Sequence, residues 1–458
     1  MDCALKCVAL LVLLGCAFSK ISASLVKDDY EHCKNTVNKW ASSSPDLEVK
    51  EEKHRLRDLL FFLHVPRTGG RTYFHCKHNC RLLVTHDDYS MMSRLPMEKT
   101  SVVTILRNPI DRVFSTYEFS IEVAARFLVH PNLTSVARMA GRLRSKQGGV
   151  STLDIWPWKY LVPWMREDLF ARRDARELQG LYSRSNDSYN MEDTVMPLHE
   201  YINDPIARDI IHNGATFQIA GLTNNSYIAE AHEVRRCVLK HQTLGEYVLE
   251  VAKKRLDNML YVGLTEDHRE SATMFANVVG AQKRARLQNI TRFVDLVSII
   301  LAALQNSSTD QNASKISAAQ IINAKNEHMT VGRLMEAYET CISSLRRTQK
   351  QRRTASLKRI SPANFSKEAR LDVPEVVLQQ IKSLNILDME LYRYAQSSFS
   401  KQHKQMMRQL KLQEKDIKFD DPYSAASRNF LLFTISIILL LLFIGLFVKR
   451  RRTLKLKL

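Results

Sequence analysis

The sequence predicts an α/β protein built on a parallel sheet flanked by helices. Three observations carry that expectation. Short apolar runs, "DLLFFLHV", "SVVTILR", "TFQIAGL" and "MLYVGLT", recur along the chain. Most are followed by helix-like stretches such as "DRVFSTYEFSIEVAARFL" or "EDHRESATMFANVV". Apolar residues make up 45% of the 458 positions, enough for a substantial core. Runs apolar throughout belong to strands covered on both faces, and strands that alternate with helices pair in parallel.

Taken in order, residues 1–23 hold a lysine near the start, an apolar run from Cys7 to Phe18 and small residues around Ser22, the pattern of a secretory signal peptide. Residues 24–57 are polar and charged and read as a lead-in helix and loop. The α/β domain is expected over 58–400, with a polar insertion around 285–367; "LQNSSTDQNASKISAAQ" within it reads as a solvated loop. Then "PEVVLQQIKSLNILDMELYRYAQSSF" places Val377, Ile381, Leu384, Leu387, Leu391 and Ala395 at helical spacing. Residues 401–429 read as a charged helical stalk. Residues 430–448 carry no charge, and at about 1.5 Å per residue they match a hydrocarbon layer of about 30 Å, so one transmembrane helix is expected. The tail 449–458 has six basic residues and reads as the cytoplasmic end of a single-pass chain whose bulk is lumenal.

Seven N-x-S/T triplets, beginning at Asn132, Asn186, Asn224, Asn289, Asn306, Asn312 and Asn364, lie between the two apolar ends, as in a glycoprotein. Without the signal segment, Cys33, Cys76, Cys80, Cys237 and Cys341 remain, an odd number whose pairing is open. Cys76 and Cys80 have no matching second pair, so no metal is expected. The net charge is +19, of which about +12 falls on the lumenal body. Such a surface favours acidic peptides, sulfated glycans or nucleotides, and the compartment excludes nucleic acid. The tryptophans of "DIWPWKYLVPW" read as packing residues, and the basic run "RRTQKQRRTASLKR" as a solvated face.

The stretch "FFLHVPRTGGRTYFHC" joins a buried strand to a basic glycine turn. Glycine lets the backbone approach a phosphate, and Arg67, Thr68, Gly69, Gly70, Arg71 and Thr72 add donors. The kinase-type G-x-x-x-x-G-K-S/T pattern is absent. A second strand end, "TILRNPIDRVFSTYEFS", offers Arg107 and, eight residues on, Ser115. Roughly forty residues separate the two strand ends, enough for one crossover that sets them side by side. A ligand with phosphate at both ends would bridge them.

These motifs resemble the donor-binding motifs of sulfotransferases: "HVPRTGGRT" is similar to the 5′-phosphosulfate loop and "LRNPIDRVFS" to the 3′-phosphate motif. The nearest pattern is the heparan sulfate 6-O-sulfotransferase type, with "YVGLTEDHRESATMF" and "LNILDMELYRYA" similar to two further blocks in the same order. The resemblance implies a P-loop-like fold and 3′-phosphoadenylyl sulfate (PAPS) as sulfuryl donor. It implies that Arg67 to Thr72 hold the phosphosulfate, that Arg107 and Ser115 hold the 3′-phosphate, and that Lys367 lies in a loop that contributes a further phosphate contact. Arg67 stands where the glycan enzymes have lysine and animal protein-tyrosine sulfotransferases have arginine.

His86, in "LLVTHDDYS", matches the base histidine of the 6-O type, and an unperturbed imidazole pKa of about 6.5 suits that role. Asp87, Asp88 and Glu118 are the alternatives. Two departures concern the acceptor: Phe119 replaces a substrate-contacting histidine, and Ala220 replaces an arginine. The cleaved signal with a C-terminal span resembles the layout of the plant tyrosylprotein sulfotransferases rather than that of Golgi glycan enzymes. The resulting expectation is a Golgi type I membrane enzyme that sulfates tyrosines in acidic secretory peptides. A glycan O-sulfotransferase and a non-enzymatic type I membrane glycoprotein are the alternatives.

Overall fold

The computed structural model describes residues 28–44, 56–68, 82–129, 152–179, 187–280 and 331–419. Strands β1 (Leu59–Leu63), β2 (Leu82–Thr85), β3 (Thr100–Leu106) and β4 (Tyr261–Leu264) form a parallel sheet in the order β2-β1-β3-β4. Leu63 sits opposite Thr85 on one side and Thr104 on the other, and Leu106 sits opposite Leu264. Every residue of β3, "TSVVTIL", is buried, as its β-branched and apolar run requires. The chain leaves β1 toward one edge of the sheet and leaves β3 toward the other. The carboxyl ends of these two central strands therefore flank a switch point, where parallel sheets open a crevice.

Two expectations about strands are corrected. "TFQIAGL" is not a strand but a buried helix, Gly214–Ile219, because long-range partners cap its first N–H groups. "LLVT" forms β2, an edge strand within the segment expected to be a single crossover. It is partly exposed and only four residues long, too short an apolar run to stand out as a strand.

The helices named here are α1 (residues 28–43), α2 (Pro109–Arg126), α3 (Trp158–Gln179), α4 (Gly214–Ile219), α5 (Ala231–Lys240), α6 (Gly245–Asn258), α7 (His268–Phe275), α8 (Val331–Leu357), α9 (Glu375–Leu384) and α10 (Ile386–Phe419). Asn108 caps α2 by accepting from the Ile110 N–H, and Pro109 occupies the first turn, where no N–H is needed. Val113, Tyr117, Ile121 and Ala124 line the inner face of α2 and pack in one core with Trp158, Leu161, Met165 and Leu169 of α3. Trp156 and Trp158 are thus packing residues.

The lead-in helix α1 belongs to a second core. Val37 and Trp40 pack with Phe217 of α4, Val234 of α5 and Val248 of α6, and Cys33 forms a disulfide with Cys237. Asp29 adds bonds of 2.8 Å to Lys240 and to His241, which hold its carboxyl down at about 2. Cys76 and Cys80 lie outside the described residues.

A buried junction ties distant parts of the chain to α2. The Asp388 carboxylate accepts from the N–H groups of Ala215 and Thr216 and so caps α4. In return, the Asn213 side chain accepts from the N–H groups of Leu387 and Asp388 and caps α10. Arg112 of α2, 1% exposed, pairs with Asp388 at 2.9 Å and donates to the carbonyls of Ile210 and Ile211. Asn385 breaks the expected single helical run into α9 and α10.

Residues 331–357, inside the expected polar insertion, form helix α8, whose Ile342, Ser356 and Leu357 are buried. The chain divides into two units, 1–399 and 400–458, the second described to residue 419 as helix. The expected signal peptide, membrane span and basic tail lie outside the described residues, among which no helix is long and apolar enough to cross a membrane.

Replacing Asp388 by Ala strands the Arg112 charge in the core and uncaps α4. The expected loss is about 3–5 kcal/mol of unfolding free energy, read as a lower denaturant midpoint. An unchanged midpoint would show that the junction carries no stability.

Candidate active site

The turn after β1 delivers Arg67 and Thr68 to the end of the sheet. Thr68 closes it, its N–H and hydroxyl both donating to the Val65 carbonyl at 3.4 and 2.9 Å. Arg67 stands at the tip with φ of 68°, the left-handed region that costs a non-glycine residue about 1–2 kcal/mol. The strain is held by neighbouring strand ends. Arg107, just past β3, donates to the Arg67 carbonyl at 3.2 Å, and Thr265, just past β4, donates to the Thr68 carbonyl at 2.7 Å.

The Arg67 side chain then crosses to α2. Its Nε donates to the Ser115 hydroxyl at 2.9 Å, and its guanidinium lies 4.3 Å from the centre of the Phe119 ring. Ser115 and Phe119 are four residues apart and so share one face of α2. The structure thus joins Arg67, Thr68, Arg107 and Ser115 at the β1/β3 switch point. Gly69, Gly70, Arg71 and Thr72 lie outside the described residues.

The electrostatics at this point are unusual. Burial, and then the adjacent Arg107 charge, lower the Arg67 guanidinium to about 10. Burial also lowers Arg107, whose Nε is enclosed without an acceptor among the described residues. Both stay protonated near neutral pH, and neither is ion-paired with a carboxylate among the described residues. Two like charges in a partly dry crevice are relieved by an anion, and the enclosed Arg107 Nε is a donor that fits a phosphate oxygen.

The nearby carboxylate, Glu118, is already engaged. It is 3% exposed, accepts from the Tyr189 hydroxyl at 2.8 Å and pairs with Arg353 at 3.3 Å and Arg370 at 2.7 Å. Arg370 also reaches Asp111 at 3.0 Å. Burial, and then the Glu118 charge, push the Tyr189 phenol up, so it stays a donor. Lys367 is exposed and makes no polar contact among the described residues; Arg370, three residues on, is the cation of that loop turned toward α2.

On the other flank, His86 stacks on His64 with ring centres 4.1 Å apart and meets the edge of Trp158 at 6.5 Å. Trp158 in turn meets Phe119 at 4.7 Å, so aromatic rings link His86 to the Arg67 platform. His86 Nδ1 lies 2.8 Å from the His64 carbonyl. A carbonyl only accepts, so Nδ1 carries the proton and the basic lone pair is on Nε2. The buried Gln218 of α4 fixes this corner, its amide donating to the carbonyls of His64, His86 and Asp87. The alternative bases are occupied. Asp88 is buried, caps the helical turn Tyr89–Arg94 and binds Thr223 twice; burial raises its carboxyl against those bonds. Asp87 accepts from Thr85 and Asn225.

Among known proteins, no family profile matches the chain. The protein-tyrosine sulfotransferase of Arabidopsis thaliana aligns over 484 positions at 52% identity, covering 96% of this chain and 97% of that protein. The chain belongs to the protein-tyrosine sulfotransferase family. The match spans the whole α/β region and not the two donor motifs alone. Within this sulfotransferase, sequence reasoning had not found Thr265, Gln218, Arg353 or Arg370 as site residues. Thr265 could have been found, since it ends β4 inside the block "YVGLTEDHRE"; the other three reach the site only through long-range packing.

Pyrophosphate, a diphosphate without the adenosine, is expected to raise the melting temperature by a few degrees by relieving the Arg67–Arg107 repulsion. The shift is expected to vanish in Arg67→Ala. A shift that persists in that variant would place the anion elsewhere.

Proposed function

We propose that this sulfotransferase moves a sulfuryl group from PAPS to the hydroxyl of tyrosines in acidic secretory peptides. The observation that carries the reading is the Arg67–Ser115–Arg107 cluster at the β1/β3 switch point, two cations on adjacent strand ends that are not ion-paired among the described residues. Arg67 and Thr68, with Gly69, Gly70, Arg71 and Thr72 following in sequence, would hold the phosphosulfate end. Arg107 and Ser115 would hold the 3′-phosphate, with Arg370 more suitably placed than Lys367 to add charge. PAPS supplies, when bound, the activated sulfuryl group.

The residues then have separable roles. His86 Nε2 accepts the phenol proton as the tyrosine oxygen attacks, and the Gln218 clamp on neighbouring carbonyls keeps the ring in place. Arg67 steadies the negative charge that develops on the departing phosphate. The phenol, with a pKa of about 10, is mostly protonated at neutral pH, which is why a base is required. The Phe119 ring beside Arg67, backed by the buried Trp158, suits an aromatic acceptor better than a sugar.

The charge-free run 430–448, the basic tail and the apolar run near the start support residence as a single-pass type I protein of the Golgi membrane with the catalytic domain lumenal. Asn224 and Asn364, both exposed, are compatible with glycosylation there.

The test is incubation of the full-length protein with labelled donor and either an Asp-Tyr peptide or a heparan-type glycan. Label is expected in the peptide; label in glycan alone would overturn the acceptor assignment. His86→Ala is expected to lower kcat by about 10²–10⁴ with unchanged affinity for 3′,5′-ADP. Arg107→Ala is expected to weaken 3′,5′-ADP binding by about 1.5–3 kcal/mol in calorimetry. Retained kcat in the first variant would remove His86 as the base, and retained affinity in the second would remove Arg107 from the donor site.

A further inference from the structure

Between Glu339 and Glu368 the chain has eight lysines and arginines and no Asp or Glu. Most of this stretch is helix α8. Arg346, Lys350 and Arg353 are spaced i, i+4, i+7 and so lie in one row along it. Arg353 is half-buried at the inner end of the row, donating to the Phe365 carbonyl at 2.7 Å and pairing with Glu118 at 3.3 Å. Glu118 is next to Phe119, the platform under Arg67. Arg346 and Lys350 are exposed, and among the described residues neither has an ion-pair partner.

A solvated helix face normally intersperses acids with bases, and like charges four residues apart oppose helix formation. Here Arg346 and Lys350 have no acidic partner among the described residues, and Arg353 alone is paired. Its outer limit is marked by Arg269 of α7, which is neutralised by Glu339 at 3.4 Å. Along the axis, Arg346 and Arg353 are about 10 Å apart at 1.5 Å per residue. An extended peptide covers that in about three residues at 3.3 Å each.

We propose that Arg346 and Lys350 form a docking row for acidic side chains flanking the acceptor tyrosine, leading the peptide along α8 to the Arg67 site. The inference rests on the tyrosine-acceptor reading and adds the surface that reads the acceptor's charge. A peptide is the occupant that fits, because one chain can lie along the Arg346–Lys350–Arg353 row and still present a side chain at its inner end. A membrane surface would need a broad basic plane.

The experiment uses the full-length protein with bound 3′,5′-ADP and fluorescent peptides in which phenylalanine replaces the acceptor tyrosine. One peptide has Asp and Glu flanks, the other Asn and Gln. In anisotropy titrations, R346Q/K350Q is expected to raise the Kd of the acidic peptide about fivefold, leaving the amide-flanked peptide and 3′,5′-ADP unaffected. The difference should close at high salt. With tyrosine restored, KM should follow Kd while kcat holds, and R346E/K350E should favour Lys-flanked peptides. An unchanged Kd for the acidic peptide, or an equal loss for both peptides, overturns the docking row. So does binding to anionic phospholipid vesicles that the variant loses while it keeps the peptide. Charge-dependent binding of the phenylalanine peptide without sulfation of any tyrosine peptide would sink the enzymatic reading and leave the row standing. Sulfation indifferent to Arg346 and Lys350 would do the reverse.

Discussion

Two guanidinium groups held side by side, neither ion-paired with a carboxylate among the described residues, are the constraint around which the rest of the site is organised. Parallel pairing of β1 with β3 sets Arg67 and Arg107 next to each other, and the Arg67 backbone is held left-handed by bonds from strand ends on either side. The nearest buried carboxylate, Glu118, could have cancelled this charge. Arg353 and Arg370 take its ion pairs instead, so it reaches the two site arginines only through its longer-range field. A crevice that repels itself when empty and relaxes around an anion follows from ordinary Coulomb repulsion in a medium poorer than water at screening. Ser115 and the Phe119 ring then orient one guanidinium without neutralising it.

The proposed role of His86 as base is set against carboxylates that the fold already uses. Three carboxylates lie within a few residues of it or of Ser115, and each already serves the fold. Asp88 caps a turn, Asp87 binds Thr85 and Asn225, and Glu118 joins three elements. The His64 carbonyl sets the imidazole tautomer that leaves Nε2 basic. On that reading, local geometry more than side-chain type distinguishes the proposed base from the three carboxylates.

How much of this could be read from the sequence depended on the range of the interactions involved. Strands β1, β3 and β4 were legible because full burial demands unbroken apolar runs. Arg67, Arg107 and Ser115 were legible because each lies within a turn or two of such a run. "TFQIAGL" has the composition of a buried strand, and its helical state depends on Asp388, over 170 residues away. Likewise, Gln218 and Arg370 act through contacts spanning more than 130 residues, which no local pattern encodes. The basic run in α8 read as solvated, yet Arg353 turns inward to Glu118 because a helix presents successive residues to different sides.

The reciprocal capping of Asn213 and Asp388 has a consequence for biosynthesis. Neither α4 nor α10 has the side-chain cap of its first N–H groups until both residues have left the ribosome, and α4 carries the Gln218 that steadies the His86 corner. A nascent chain shorter than its Asp388 therefore has both strand-end arginines but an unfinished base corner. Competence arrives late in translation, once most of the polypeptide has emerged.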